Sequence, residues 1–449
     1  HHLQNSSGRL TALLHRDDIY NMQEVAVDMT LFYLQNSADL ETGRKIYDRL
    51  LEILAWETRI LSPDNDGLYQ NFLNTWISDG HSYNGAGCAQ ASVYNFTANR
   101  LTALLGQKLG REVKDLEAQA DHILSALYKY LWLPKEGILA ESIDRIGNRL
   151  LHPSPELATT YLAINAGAVN EQQAWSMLKW TERNCRSIRT IGRGGRLYFS
   201  SNWLPKKYST CGIFSAENAC LALAYYRCGQ PEQAFEIVQG LLDAFALSPH
   251  PGAITHVLSG LGSSDGGDID FTDVSSCYLQ LLLEGLWGVR FQLLEGVIHL
   301  APQLPPDWET AELNLPAVSL NYHRRGNCET LLAVVEHPAR KVFTLPLRQA
   351  KIEQLLLNGE SICYKVKPGF GRSYLQCETS LCGKIELKIY YAEVPYPRLR
   401  QQELILFSGN QAVIGVDDGV IDHIEAPEGL LQSVFTSPQE HIVRITTEE

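Results

Sequence analysis

Residues 89–131 read AQASVYNFTANRLTALLGQKLGREVKDLEAQADHILSALYKYL. Apolar residues recur at helical spacing through 89–106, lapse over the polar, glycine-containing stretch 107–111, and recur through 112–131. That pattern predicts two antiparallel helices joined by a tight turn. It repeats outward in both directions, with helices predicted over 17–35, 41–60, 155–168, 171–186, 215–229, 231–246 and 274–288. The links after the first, third, fifth and seventh helices are a few polar residues. Those after the second, fourth, sixth and eighth run about 20 to 30 residues, well beyond ordinary connection lengths. Hairpins chained this way carry all their long loops on one end, and long ordered loops on a rigid scaffold are where binding and catalysis concentrate.

The repeat, about 60 residues per hairpin and loop, is longer than the usual solenoid repeats and fits a closed toroid of helical hairpins. Nine helices are visible. Taking 274–288 as the last of a six-hairpin ring makes the first visible helix the fourth, so the chain is expected to be the C-terminal part of a longer protein. Beyond residue 297 the texture changes to short alternating runs at 311–315, 318–324, 329–336, 342–346, 354–357 and 384–391, separated by Gly, Pro and Asn turns. These predict an antiparallel β-sandwich. The expected fold is therefore mainly α followed by all-β: a partial (α/α)6 toroid over 1–296 and a C-terminal sandwich over 297–449.

Charged residues make up 20% and apolar residues 45%, an ordinary globular balance. A formal net charge of −13 argues against nucleic acid or an anionic membrane surface as partner, since both demand a basic face. No apolar run is long enough to span a bilayer. The ten cysteines are spread along the chain without CxxC or Cys/His spacing, so they read as buried free thiols rather than a zinc site; Cys377–Cys382 is an open disulfide option. Asp64-Asn65-Asp66 begins like a calcium loop but lacks the terminal Glu at the required spacing. Neither a metal nor any other cofactor is expected. No phosphate loop, dinucleotide fingerprint, GxSxG elbow or HExxH motif is present.

Five loops precede the inner helices, at 1–16, 61–88, 132–154, 187–214 and 247–273, and they are rich in Asp, Trp, Tyr and His. Carboxylates beside exposed aromatics suit glycosidic bond cleavage: one carboxylic acid protonates the leaving oxygen while a second carboxylate activates water or attacks the sugar. Aromatic faces stack on the apolar side of sugar rings. In loop 61–88, Asp79 is a candidate general acid, with Trp76, His81 and Tyr83 as its aromatic and polar wall. Asp265, Asp268, Asp270 and Asp273 crowd the approach to the last helix; like-charge repulsion there raises at least one pKa, and Asp270 or Asp273 is the candidate base. One of these acids, or Ser275, is expected to cap that helix. Glu141 is a second candidate acid, with His152 nearby in sequence. Trp203, Arg193, Arg196 and Lys206 are candidates for sugar contacts. Glu24 and Asp28, one helical turn apart, are placed toward the axis, whereas Glu217 is accounted for by the dipole of the helix it opens.

The segments DNDGLYQNFLNTWISDGHSYNGAGC, LAESIDRIGNRLLHP, SSNWLPKKY and DFTDVSSCYLQLLLEGLWGV, followed by IHLAPQLPPDW, resemble the six-hairpin, (α/α)6-barrel glycoside hydrolases. The likeness is to the C-terminal part of large multidomain Bacteroidetes enzymes that degrade plant polysaccharides, and it covers essentially the whole chain. It implies an exo-acting, inverting glycosidase on pectic glycans, periplasmic or secreted, that releases L-arabinofuranose, with α-L-rhamnosidase activity next in order. It also implies an oligosaccharide as partner and an N-terminal segment of the same protein completing the barrel. By loop position it places the acid at Asp79 and the base at Asp270 or Asp273. A polysaccharide lyase on the same scaffold, using Tyr83, His81 and Arg193, is the competing enzymatic reading; a non-catalytic glycan-binding part of a larger enzyme is the third.

Overall fold

The computed structural model describes residues 4, 6–10, 20–70, 87–144, 147–204, 211–248, 255–259, 272–400, 404, 407–424 and 431–445. Its nine described α-helices are α1 (Tyr20–Ser37), α2 (Leu40–Leu61), α3 (Ala89–Lys108), α4 (Lys114–Ala126), α5 (Leu157–Asn165), α6 (Glu171–Asn184), α7 (Ser215–Arg227), α8 (Pro231–Ala246) and α9 (Thr272–Gln280). α4 and α9 are each prolonged by a π-helical turn, Leu127–Leu131 and Leu281–Leu286.

Local chemistry fixes where these helices begin and end. Asp39 caps α2 by accepting from the Thr42 N–H at 3.0 Å, Asn170 and Gln173 form a reciprocal capping box on α6, and Pro231 opens α8. Each short link turns on one left-handed residue: Ala38 (φ 50°), Gly110 (φ 70°), Gly167 (φ 68°) and Gly229 (φ 71°). In the last three the chain closes with an N–H returned to a carbonyl five residues back, Arg111 to Gly106, Ala168 to Ala163 and Gln230 to Tyr225, all at 2.9 Å. This is the Schellman arrangement that glycine permits.

The odd-numbered helices stand side by side in chain order, α1 on α3, α3 on α5, α5 on α7 and α7 on α9, while α2, α4, α6 and α8 pack against them. Burial follows this division. α3, α5 and α7 are covered on nearly every side, and α2, α4 and α6 on one face, as expected for inner and outer layers. Leu31, Leu34, Tyr47, Leu50, Leu101 and Leu105 form one core, contributed by α1, α2 and α3.

The chain divides into two compact units, one comprising His1–Asp307, Pro338–Leu345 and Val366–Ser380, the other Trp308–His337, Pro346–Lys365 and Leu381–Glu449. A five-stranded sheet runs in the order Val289–Gln292, Val297–Leu300, Arg340–Pro346, Ser373–Thr379, Lys365–Pro368. Its first hairpin was hidden in the sequence, where an apolar run at 286–297 reads as the end of a helix. The expectation of purely antiparallel pairing fails here, because Val297–Leu300 pairs parallel with Arg340–Pro346. The intervening residues form three strands of another sheet, which gives the long crossover that a parallel pair requires. That second sheet is antiparallel, in the order Thr310–Asn314, Ser319–Arg325, Cys328–Val335, Gly383–Tyr391, Ile352–Leu357, Glu360–Ser361. In Gly383–Tyr391 every second residue from Ile385 onward is buried, the period-two pattern of a strand with one covered face. All ten cysteines are free thiols, so Cys377 and Cys382 are not bridged.

Candidate active site

The long loops are stitched to one another where the odd helices begin. The N–H of Ala89, which opens α3, donates to the carbonyl of Glu141 at 2.9 Å. The N–H of Leu157, which opens α5, donates to Ser200 at 2.8 Å, and that of Ser215, which opens α7, donates to His256 at 3.0 Å. Each helix start is thereby tied to the loop that precedes the next odd helix. Short strand pairs continue the pattern, Gly87–Cys88 with Ser142–Ile143 and Ile213–Phe214 with Val257–Leu258.

Acids collect at this end. Glu141 is buried, and its Oε2 accepts from the Thr159 hydroxyl at 2.7 Å and the Glu156 N–H at 3.1 Å. Glu156, at the N-cap of α5, is also buried, and neither of its carboxyl oxygens has a hydrogen-bond partner among the described residues. Burial, with repulsion from Glu141 and Glu217, pushes the Glu156 carboxyl well up. Burial raises Glu141 too, to about 7, against its two donors; Glu156, which has none, is the one held protonated. Glu217, in the first turn of α7, is buried with Oε2 unpartnered; burial raises its pKa to about 8 against a hydrogen bond from Tyr161. A dipole interaction does not account for Glu217 as the sequence suggested: a favourable N-terminal position lowers a carboxylate's pKa, and here desolvation outweighs it. Glu24, on α1, is buried as well and adds its negative potential to that of Glu141 and Glu156 at Cys88.

A cavity of about 790 Å³ is lined by all five odd helices. α1 contributes Val25, Asp28, Met29 and Phe32, and α9 contributes Asp273, Ser276, Cys277 and Gln280, each set a single helical stripe. Tyr94 and Tyr161 line it from α3 and α5, and burial pushes both phenols well up, so they stay protonated donors. Burial raises Asp28 to about 6, partly offset by the Arg227 guanidinium. Arg227 pairs with Glu284 at 2.8 Å. The size lies within the range of small-molecule sites, and a perturbed acid at the wall, here Asp28, is a usual mark of one.

The sequence candidates do not come together in one place. Trp76, Asp79, His81, Tyr83, Asp270 and Lys206 lie outside the described residues. Asp273 is exposed and lines the cavity, but it sits inside the first turn of α9, which starts at Thr272, and Ser275 lies further in still, so neither of these two is the cap. His152 and Trp203 come together edge to face, ring centroids 4.7 Å apart, with Trp203 Nε1 donating to the Ser154 carbonyl at 2.9 Å. Glu24 and Glu141 are buried and do not line the cavity. Arg193 serves the scaffold, its N–H donating to both carboxyl oxygens of Asp243 at 3.0 Å. Sequence reasoning missed Glu156 altogether. The available signal was an acid opening a helix that is apolar on all sides, which leaves it nowhere to go but inside. Among the described residues no group of three or more His, Cys, Asp or Glu is arranged to hold a metal ion.

No family model matches the sequence, and no curated protein matches it. Among solved structures, an α-L-rhamnosidase from Dictyoglumus thermophilum superimposes with a TM-score of 0.61 at 15% identity over 86% of this chain. A Streptomyces avermitilis α-L-rhamnosidase complexed with L-rhamnose gives 0.54 at 13% identity, also over 86%. The chain spans 42% of the first and 35% of the second, and at these identities what it shares with both is their fold.

Proposed function

We propose that this chain carries the catalytic face of an exo-acting, inverting glycoside hydrolase. In this reading the odd helices form most of an (α/α)6 ring around the cavity, the long loops form its mouth, and the strands that follow build a sandwich. The observation that carries the proposal is convergence: acids from α1, from the loop before α5, from the N-cap of α5 and from α7 act on one another and on Tyr94, which lines a cavity shared by the five inner helices, and Asp273 of α9 lines the same cavity. Asp273 is the base, with Asp270 its alternative, and Asp79 in the long loop before α3 is the acid. The sixth place in the ring, beside α9 where Leu279 is 58% exposed, takes a helix from an upstream segment of the same protein.

The substrate class is a terminal L-sugar on a plant cell-wall glycan. L-Arabinofuranose and L-rhamnose are the two candidates, the second supported by the fold shared with two rhamnosidases. Hydrolysis of 4-nitrophenyl β-L-arabinofuranoside and α-L-rhamnopyranoside, followed by NMR of the first-formed anomer, tests both substrate and stereochemistry. Inversion requires the two carboxyls roughly 6.5 to 9.5 Å apart, to admit water. Release of neither sugar from these glycosides or from pectic oligosaccharides, with the upstream segment present, defeats the proposal. A product absorbing through a new double bond transfers the site to the lyase class.

A further inference from the structure

We infer that Arg100, Arg227 and Arg290 form an anion-binding subsite at the short-link end of the cavity, where they take an oxyanion: the carboxylate, sulfate or phosphate group of a small molecule. All three line the cavity, from α3, from the end of α7 and from the strand Val289–Gln292. Arg227 closes α7, ten residues beyond Glu217, which is about 15 Å along the helix axis. The subsite is thus separate from the end where the acids collect.

Contacts on three sides hold the group in place. Arg227 Nη1 donates to the Asn165 carbonyl, and two residues further on a Cβ at Gly167 would stand 4.0 Å from Nη1 of Arg100. Both guanidiniums therefore meet the chain where α5 turns toward α6. The other nitrogen of Arg227, Nη2, pairs with Glu284 at 2.8 Å, in the π-helical turn that leads into the strand carrying Arg290. Gln303 ties the same region to α7, its Nε2 donating to the Tyr226 carbonyl and its N–H to that of Leu286, both at 2.9 Å. His299, directly opposite Arg290 in the hairpin, lines the cavity beside it.

The carboxylates on the wall leave positive charge in excess at this end. Glu171 pairs with Lys367 at 2.7 Å, Glu284 is taken by Arg227, and Asp273 stands in the first turn of α9. Burial raises Asp28 to about 6. Among the described residues neither the Arg100 nor the Arg290 guanidinium has an ion-pair or hydrogen-bond partner; Arg100 lies over the Phe96 ring, 5.4 Å from its centroid. Nε of Arg227 is buried and also unpartnered there. Burial lowers Arg290 to about 10, the like charge of Arg227 adds to this, and Glu284 and Glu295 offset part of it. A bound anion relieves that repulsion and supplies the missing acceptors. A helix C-terminus accounts for Arg227, but Arg100 lies within α3 and Arg290 on a strand. Planar forks of N–H donors are the usual receptors for oxyanions.

The test titrates the protein with sodium sulfate, sodium phosphate or sodium galacturonate at an ionic strength held fixed with sodium chloride, with galactose as the neutral control. The expected result is a saturable rise in Tm with at least one oxyanion and none with galactose. Which anions act separates an inorganic ligand from an acidic sugar. Arg100→Gln and Arg290→Gln each weaken the apparent Kd by about tenfold, while Arg400→Gln, in the other compact unit, leaves it unchanged. Phenylglyoxal labelling of the wild type, mapped by mass, gives a reading that no variant's folding disturbs. Arg100 is exposed, and the anion that raises Tm should protect it. No rise with any of the three anions, a rise that both variants keep, or labelling of Arg100 unchanged by the anion overturns the inference. None of these readings depends on whether the protein cleaves glycosides.

Discussion

The backbone N–H of Glu156 donates to Oε2 of Glu141 at 3.1 Å, so one buried glutamate is anchored by the amide of the other, whose own carboxyl is held neutral. The Thr159 hydroxyl supplies the second donor at 2.7 Å. Thr159→Val removes that donor with little change of shape and leaves a buried carboxylate short of one bond. It is expected to lower stability by about 1 to 3 kcal/mol, measured as a denaturant midpoint at pH 7. A midpoint unchanged within error would mean that Glu141 is solvated.

The buried acids predict the direction of the pH dependence. Glu217 is raised to about 8, Glu57 to about 7 and Asp28 to about 6, each mainly by burial. An acid whose pKa is raised on folding holds its proton more tightly in the native state. Its contribution is complete below the unfolded pKa, near 4.5 for Glu, and is lost as pH climbs through the folded value. Stability is therefore expected to fall from about pH 5 to pH 8. Glu217→Gln, which mimics the neutral acid, should flatten that fall and be roughly 2 to 4 kcal/mol more stable than the wild type at pH 8. Parallel pH profiles for the two proteins would refute the assignment.

Asp243 on α8 fixes the base of the loop between α6 and α7. It accepts from the Thr190 hydroxyl at 2.6 Å and from the Arg193 N–H, and Gly192, at φ 123°, brings its backbone against the carboxyl. Asp243→Ala strands these donors and should cost about 2 to 4 kcal/mol. Limited proteolysis should then cut within residues 191–195. Unaltered cleavage would show that the loop is held elsewhere.

Ala38 is the exception among the four short links, a left-handed residue with a side chain. Ala38→Gly relieves that strain at some cost in unfolded-chain entropy, and a net gain of about 0.5 to 1 kcal/mol is expected. A lower Tm would indicate that the Ala38 methyl packs more tightly than its partly buried position suggests.

The helical half was legible because its signals are local. Gly110, Gly167 and Gly229 announce their links, and the apolar stripes between them are long enough to fix the period. The strand at Val289–Gln292 was not, since a short apolar run carries no period that separates helix from strand. The acids divide in the same way. Asp273 could be placed at the entry to α9 from its neighbours alone. Glu156 was signalled only by the apolar helix it opens, and the burial of Glu217 depends on packing that its own neighbours in sequence do not show. The stitching of Ala89 to Glu141 and of Ser215 to His256 runs through backbone groups, which leave no mark on side-chain identity.

The account stands on acids from separate loops acting across one hollow, and the turnover of Asp79→Asn and Asp273→Asn on the cleaved aryl glycoside examines this most directly. Each substitution is predicted to lower kcat by about 10²- to 10⁴-fold while KM moves only a few-fold, the signature of groups needed in the transition state. Near wild-type turnover in both variants would contradict it.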